Sequence, residues 1–332
     1  MKRNIQIDLL KTIGIALVVL GHLVPGPRAL RFIYSFHIFL FFSCSGFLGE
    51  RYNNRRFTEI LIANCKRVLV PYCIWQVISL FVDYLTKNIN LSQGLLQLTY
   101  FNAYVGWNSP LWFLVALFWS DSICALIIKQ RKWIQYMATG LFLALWILLA
   151  VKKTVIPFGI YTIPATSFFW MLGYAIKSKE VLQKLLEYKS KVLKILLAIV
   201  LFIITLCFGV FFNETISVYL IWYSKIVYTI LAGIAGVFMC FLLSSIYSGK
   251  YDWLNNIIQK YGNNTRLILC THYFILRFLR FLTMRFMGFD LWGYQSTLKA
   301  IALMIFLVAL YYPIILCTES LKKKWHPLTY VF

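Results

Sequence analysis

Three polar side chains interrupt the first apolar segment of the chain, roughly residues 5–23: Asp8, Lys11 and His22. A charged group near the middle of a membrane helix costs about 2.5–3.5 kcal/mol on insertion scales, so such groups usually line an interior site. Lys11 and His22 are eleven residues apart, which in a helix places them within about 20° of one face and about 16 Å apart along the axis. Histidine exchanges protons near neutral pH, and lysine can hold an anion or pair with Asp8. The segment therefore predicts a helix with polar groups at two depths.

Two further histidines, His37 and His272, also fall within apolar segments. An imidazole in such a position needs a hydrogen-bond partner or a wet cavity. We expect His37 to lie in the same outer third of the membrane as His22, where the two could face each other, and His272 to lie deeper. Each is a candidate for proton transfer, and each has the alternative of a structural hydrogen bond to a neighbouring helix.

The composition is typical of a protein with many membrane spans. Apolar residues make up 61% of the chain, charged residues 13%, and the mean hydropathy is +0.75; soluble domains average about 45–50% apolar and about 25% charged residues. The net charge of +22 comes from short basic clusters between apolar stretches. That pattern is the orientation signal of membrane proteins, so we expect no nucleic-acid partner.

Apolar runs long enough to cross the hydrocarbon predict an all-α polytopic membrane protein with about ten transmembrane helices. We place the spans at roughly 5–25, 32–48, 67–86, 110–128, 133–150, 160–176, 193–212, 223–246, 265–284 and 297–318. Basic residues cluster in alternate loops, which favours cytoplasmic N- and C-termini. The loops are too short for a soluble core, so we expect residues 1–332 to form a single membrane domain with no fused soluble domain.

Eight cysteines are scattered along the chain without any CxxC pair. Metal and redox sites need clustered ligands, so we interpret these cysteines as small apolar core residues. We therefore expect no metal site.

The string DLLKTIGIALVVLGH holds Lys11 and His22 with ten residues between them, and the string SFHIFLFFSCSGFL follows it. The two strings resemble the opening of the acyltransferase 3 family of integral membrane acyltransferases, in which a basic residue and a histidine are separated by ten residues. Later blocks agree in order: KRVLVPY, PLWFLVALF, PATSFFWMLGY and YGNNTRLILCTHYFIL. One position departs from the family, because Asn64 stands where many members carry the first of two arginines. The resemblance covers nearly the whole chain.

The resemblance implies an enzyme of a bacterial inner (plasma) membrane that takes an acyl group, usually acetyl, from acetyl-CoA or another acyl-CoA in the cytoplasm. The implied acceptor is a hydroxyl of a surface polysaccharide or a lipid-linked glycan. Coenzyme A carries phosphates, so its site should be basic, and the candidates are Lys66, Arg67 and Arg266, where the third and ninth spans begin. Their alternative role is to set the orientation of the chain in the bilayer.

Acyl transfer to a hydroxyl requires a base and a group that stabilises the oxyanion. We expect His22 to be the base or to orient the acceptor. Lys11 would hold an anionic part of the donor or form a structural ion pair with Asp8. His37 and His272 are second candidates for proton transfer or for carrying the acyl group, and the sequence does not choose between a ternary and a ping-pong route.

Two other classes of protein share this topology. A glycan or lipid-linked sugar exporter would also have ten spans and buried charges, but the internal repeats and paired broken helices that favour it are not found in the sequence. A non-catalytic scaffold or sensor leaves the polar face of the first helix without a purpose. The sequence identifies neither the acceptor sugar nor an oligomeric state.

Overall fold

A computed structural model describes residues 4–24, 26–85, 91–98, 106–178, 184–185, 187–188, 190–214, 216–288, 290 and 296–331. This part of the chain is helical, and its β structure is limited to an isolated bridge between Ser217 and Trp222. The all-α prediction is confirmed for these residues.

The helices follow one another in the order α1 (Ile5–His22), α2 (Pro27–Phe47), α3 (Phe57–Leu85), α4 (Leu91–Leu98), α5 (Ser109–Ile127), α6 (Lys132–Lys152), α7 (Ile163–Ser178), α8 (Lys191–Phe211), α9 (Ile226–Ile246), α10 (Asp252–Asn263), α11 (Thr265–Met287) and α12 (Thr297–Lys324). Within the described ranges, all except α4, α7 and α10 are long and apolar enough to cross a membrane, which gives nine candidate spans. Of the ten predicted spans, the sixth, residues 160–176, corresponds to α7, which has 16 residues. A multi-pass membrane architecture close to the predicted ten spans is confirmed, whereas the orientation of the termini stays a prediction.

The third span begins at Phe57, earlier than the predicted residue 67. At its start, a Glu59 carboxylate oxygen accepts a hydrogen bond from the Arg56 backbone nitrogen at 3.2 Å, which satisfies one of the free donors at the helix end. A π-helical turn, Cys65–Leu69, then joins two α-helical parts of α3. Residues 66 and 67 therefore lie inside a helix instead of at its beginning.

Helices α1 and α2 form the centre of the bundle. Helix α1 contacts α2, α9, α10, α11 and α12, and α2 contacts α1, α7, α8 and α9. Glycines allow α2 and α7 to approach closely, because a Cβ atom on Gly46 would lie 1.8 Å from the Trp170 carbonyl oxygen and one on Gly173 would lie 1.9 Å from that of Ser43. Side chains on the inner faces of α1 and α2 are thus fixed by tight packing.

The chain turns at Asn264, between α10 and α11, close to the start of α1. A Cβ atom on Gly262 would lie 2.9 Å from the Asp8 backbone oxygen, so the end of α10 touches the first turn of α1. Helix α11 therefore starts beside α1 and runs parallel to it.

Candidate functional site

Four cationic side chains line a cavity of about 300 Å³ beside residues 11–18 of α1, which we call the basic cavity. They are Lys11 of α1, Arg51 of the turn after α2, Arg67 of α3 and Arg266 of α11. Apolar side chains form much of the remaining wall, among them Ile15, Val18, Ile38, Phe41, Phe113 and Leu269. None of the described residues that line the cavity is acidic, so it presents positive charge in apolar surroundings and suits an anion.

Asp121, on α5, is fully buried behind two of these cations. Its Oδ2 accepts a hydrogen bond from Arg67, and the Arg51 guanidinium lies 3.6 Å from Oδ1. Oδ1 also accepts hydrogen bonds from the Ser45 hydroxyl at 2.6 Å and from the Trp170 indole at 2.7 Å. Residues from three helices thus fix one carboxylate, which holds two guanidinium groups at the cavity wall.

Tyr52 and Asn64 extend this network. Arg51 donates a hydrogen bond to the Tyr52 hydroxyl at 2.8 Å, and that hydroxyl donates to Asn64 Oδ1 at 3.2 Å. Burial, and secondly the Asp121 carboxylate, raise the pKa of Tyr52, so its phenol stays protonated. Asn64 also accepts from Arg67 at 3.1 Å. Asn64, which stands where many members of the family carry an arginine, therefore accepts a hydrogen bond from the remaining arginine, Arg67.

The structure separates the basic residues that the sequence proposes for the donor. Arg266 donates hydrogen bonds to the backbone carbonyls of Arg67 and, at 3.1 Å, of Thr329. Lys66 is exposed and does not line the basic cavity, because neighbouring residues of a helix project about 100° apart. Arg67, Arg266 and Lys11 are brought together, and Lys66 is left outside. The assignment of these residues to the donor site stays a prediction.

Asp8 lies one turn before Lys11 on α1 and is 6% exposed. Its backbone packs against Gly262, which also lines the basic cavity. The pair of residues predicted from the first span therefore sits at the edge of the basic cavity.

A second, smaller cavity of about 60 Å³ lies at the C-terminal end of α1. We call it the histidine cavity because His22 and His37 line it together, as expected if the two residues face each other. Tyr34, Trp112 and Tyr219 form aromatic walls, and the last two rings stack with centroids 5.9 Å apart. The segment around the Ser217–Trp222 bridge covers one side, since residues 216–219 line the cavity.

His22 is held by a tyrosine of the parallel helix α11. Its Nδ1 lies 3.0 Å from the Tyr273 hydroxyl, and Tyr273 is also hydrogen-bonded with Ser109 of the cavity wall. The edge of the Tyr273 ring faces the imidazole, with the ring centroids 4.8 Å apart. One ring nitrogen of His22 is thus occupied, which fixes the orientation of the imidazole.

The other two histidines are anchored to backbone carbonyls of their own helices. His37 Nδ1 donates to the Ile33 oxygen at 2.7 Å, and His272 Nδ1 lies 2.9 Å from the Ile268 and Leu269 oxygens. The prediction that His272 lies deeper than His22 is wrong, because the two rings are 5.2 Å apart. The reason is that α11 starts beside the first turns of α1 and runs parallel to it.

Arg51 and Asp121 are the residues that the sequence analysis missed. The signal for Asp121 was present, since it is a single carboxylate in the apolar string PLWFLVALFWSDS and such groups are rarely without function. Arg51 gave no signal, because a basic residue after a span is what membrane topology alone predicts. Their association joins residues 51, 67 and 121, which no local spacing reveals.

The two cavities together allow a defined chemistry. The basic cavity can hold an anionic group, and the histidine cavity offers an oriented imidazole that can take up a proton. Because α1 is a continuous helix, Lys11 and His22 lie about 16 Å apart along its axis. A substrate that uses both must be long and anionic at one end.

Comparison with known proteins gives one informative result. A family model described as an acyltransferase domain matches residues 4–316 of the 332-residue chain. No curated protein and no solved structure gives a significant match. The match includes every residue that lines the two cavities.

Proposed function

The chain belongs to the acyltransferase 3 family, and from this premise we propose that it transfers an acyl group, expected to be acetyl, from acyl-CoA to a hydroxyl of a surface or lipid-linked glycan. Because the chain belongs to this family and has several helices apolar enough to cross a membrane, it is a multi-pass membrane acyltransferase. The observation that carries the finer proposal is that α1 joins a cavity lined by four cations to a cavity lined by two histidines.

The basic cavity suits the phosphate end of coenzyme A. Phosphate oxygens accept charge-assisted hydrogen bonds from guanidinium and ammonium groups. Arg51 and Arg67 are held in place by Asp121 before any donor arrives, which reduces the entropy lost on binding. Lys11 contributes a further cation to the same wall. Because the proposed donor is cytoplasmic, the basic cavity must face the cytoplasm. The predicted cytoplasmic position of the termini agrees with this requirement.

The acyl group must then reach the histidine cavity. In the proposed step the acceptor hydroxyl oxygen attacks the thioester carbonyl carbon, so a C–O bond forms and the C–S bond breaks. His22 Nε2 takes the hydroxyl proton and passes it to the departing thiolate, which leaves as coenzyme A thiol. The Tyr273 hydroxyl lies 3.0 Å from Nδ1, and in the proposed step Nδ1–H donates to it, which leaves Nε2 to act as base.

His37 is the alternative base, because it lines the same cavity and its Nδ1–H is already directed at a backbone oxygen. His272 touches His22 and would stabilise its orientation. A ping-pong route would place the acyl group on an imidazole nitrogen and then on the acceptor oxygen. We place the acceptor site on the far side of a bacterial inner membrane.

The proposal is tested with labelled acetyl-CoA and membranes that contain the full chain. We expect transfer of label to glycan by the wild type, a loss of transfer in His22→Ala, and normal transfer in the matched control His326→Ala, since His326 lies in the exposed C-terminal turn. Transfer by His22→Ala at the wild-type rate would contradict the assigned role. Lack of any transfer by the wild type, combined with export of unmodified glycan, would favour a transporter.

A further inference from the structure

Two helical stripes face each other between the cavities. On α1, Lys11, Ile15 and Val18 line the basic cavity, and His22 lines the histidine cavity. These positions are spaced by four, three and four residues, which keeps them on one face of a helix. The interval between the two polar groups of α1 is thus filled by two branched apolar side chains.

Helix α2 repeats this pattern in the opposite direction. Tyr34 lines the histidine cavity, Phe41 and Ser45 line the basic cavity, and Ile38 between them lines both. These residues are also spaced by four, three and four positions. Among the described residues that line the two cavities, Ile38 is the one they share.

Ile38 therefore stands at the boundary of the two cavities. Its side chain is partly exposed, although its neighbours His37 and Phe39 are buried, so it borders the open space on both sides. Phe41, one turn away, is held against α1, because a Cβ atom on Gly14 would lie 2.9 Å from the Phe41 ring. The boundary between the two cavities is thus lined by one aliphatic side chain, Ile38, with a fixed aromatic ring one turn away.

The size of the histidine cavity limits what can pass this boundary. A volume of about 60 Å³ has room for only a few water-sized groups. A small acyl group such as acetyl suits a space of this size, which Trp112, Tyr219 and Ile38 help to line. The donor's anionic end stays in the basic cavity, so its acyl end must pass Ile38 to reach His22.

We propose that Ile38 is a specificity-determining residue, which admits acetyl to the histidine cavity and excludes longer acyl groups. This inference rests on the proposed function and adds the acyl-chain class of the donor. A smaller residue at position 38 joins the two cavities, and a larger one closes the passage. Neither change alters the cations that bind the phosphate end of the donor.

The test compares acetyl-, propionyl- and butyryl-CoA as donors for wild type, Ile38→Ala, Ile38→Val and Ile38→Trp. For Ile38→Ala we expect the ratio of butyryl to acetyl transfer, as kcat/KM, to rise by roughly tenfold or more, since one methylene in a pocket changes discrimination by about 10–200-fold. Ile38→Val should give a smaller rise in the same direction. Ile38→Trp should lose transfer of all three acyl groups and keep its affinity for coenzyme A.

The matched control is Ile123→Ala, because Ile123 is also a partly buried isoleucine in a membrane helix but lines neither cavity. It should keep the wild-type chain-length profile. An unchanged profile in both Ile38→Ala and Ile38→Val, with an active wild type, would overturn the inference and leave the proposed function intact. A wild type that transfers no acyl group from any of the donors would overturn both.

Discussion

The basic cavity and the histidine cavity are both lined by α1 and α2, but different interactions hold their polar groups. In the basic cavity, Arg51 and Arg67 are fixed by a buried carboxylate and its neutral partners. In the histidine cavity, no described lining residue is charged, and the imidazoles are held by a tyrosine and by backbone carbonyls. The first arrangement suits tight binding of a charged group, and the second suits proton transfer by a neutral imidazole.

The largest effect should come from the histidine cavity. His22→Ala removes the proposed base, and general-base catalysis contributes about 10²–10⁴-fold to a rate. We expect kcat for acetyl transfer to fall by that factor while the affinity for coenzyme A stays unchanged. Steady-state transfer and binding of labelled coenzyme A by the same detergent-solubilised protein measure the two quantities. A loss of coenzyme A affinity with an unchanged kcat would reverse the roles of the two cavities.

Next in size is the effect of Asp121→Asn on stability. Removal of one partner of a buried ion pair costs about 3–5 kcal/mol, and we expect less here because Arg51 and Arg67 are about a quarter to a third exposed. Thermal unfolding in detergent should show a lowered midpoint, and the KM for acetyl-CoA should rise because both arginines lose their anchor. The control is Asp290→Asn, whose ion pair with Arg280 is exposed and should contribute little. Equal shifts in the two variants would contradict the account of the Asp121 network.

Lys11→Ala tests the part of α1 that lines the basic cavity, where the donor is proposed to bind. Its effect should be smaller than that of Asp121→Asn. A hydrogen bond to a charged group contributes about 1.5–3 kcal/mol, so we expect the KM for acetyl-CoA to rise by about tenfold or more. Lys66→Ala is the matched control, because Lys66 is exposed and lies outside the cavity. Its KM should match that of the wild type. A larger effect for Lys66 than for Lys11 would place the donor elsewhere.

Tyr273→Phe should have the smallest effect. It removes the hydroxyl that holds His22 Nδ1 and keeps the ring that packs beside the imidazole. A single hydrogen bond contributes about 0.5–1.5 kcal/mol, so kcat should fall by about two- to tenfold. The KM for acetyl-CoA should not change. A change in KM alone would show that Tyr273 acts on the donor and not on the base.

The sequence predicts the relative positions of Lys11 and His22 on α1, because these follow from helical periodicity alone. The common depth of His22 and His37 follows from the topology of adjacent spans. The predicted depth of His272 relative to His22 is wrong, because it depends on the turn at Asn264, where α11 starts beside α1. Contacts of this kind are set by packing between distant parts of the chain.

The basic residues proposed for the donor site do not all meet in the structure, for a related reason. Arg67 and Arg266 were proposed and line the basic cavity, but Lys66 was proposed with them and points away. The start of α3 at Phe57 decides this, because it places both residues inside a helix and gives them different faces. The partner of Arg51 and Arg67 comes from another span, so the pairing could not be inferred from spacing.

In the proposed function an acyl group passes along α1 from the basic cavity to the histidine cavity, and so from one side of the membrane to the other. Sealed inside-out vesicles from cells that produce the chain, with labelled acetyl-CoA added outside, test this passage. We expect labelled glycan that an added esterase can deacetylate only after the vesicles are opened. Labelled glycan that the esterase reaches in intact vesicles would place donor and acceptor on the same side and refute passage across the membrane.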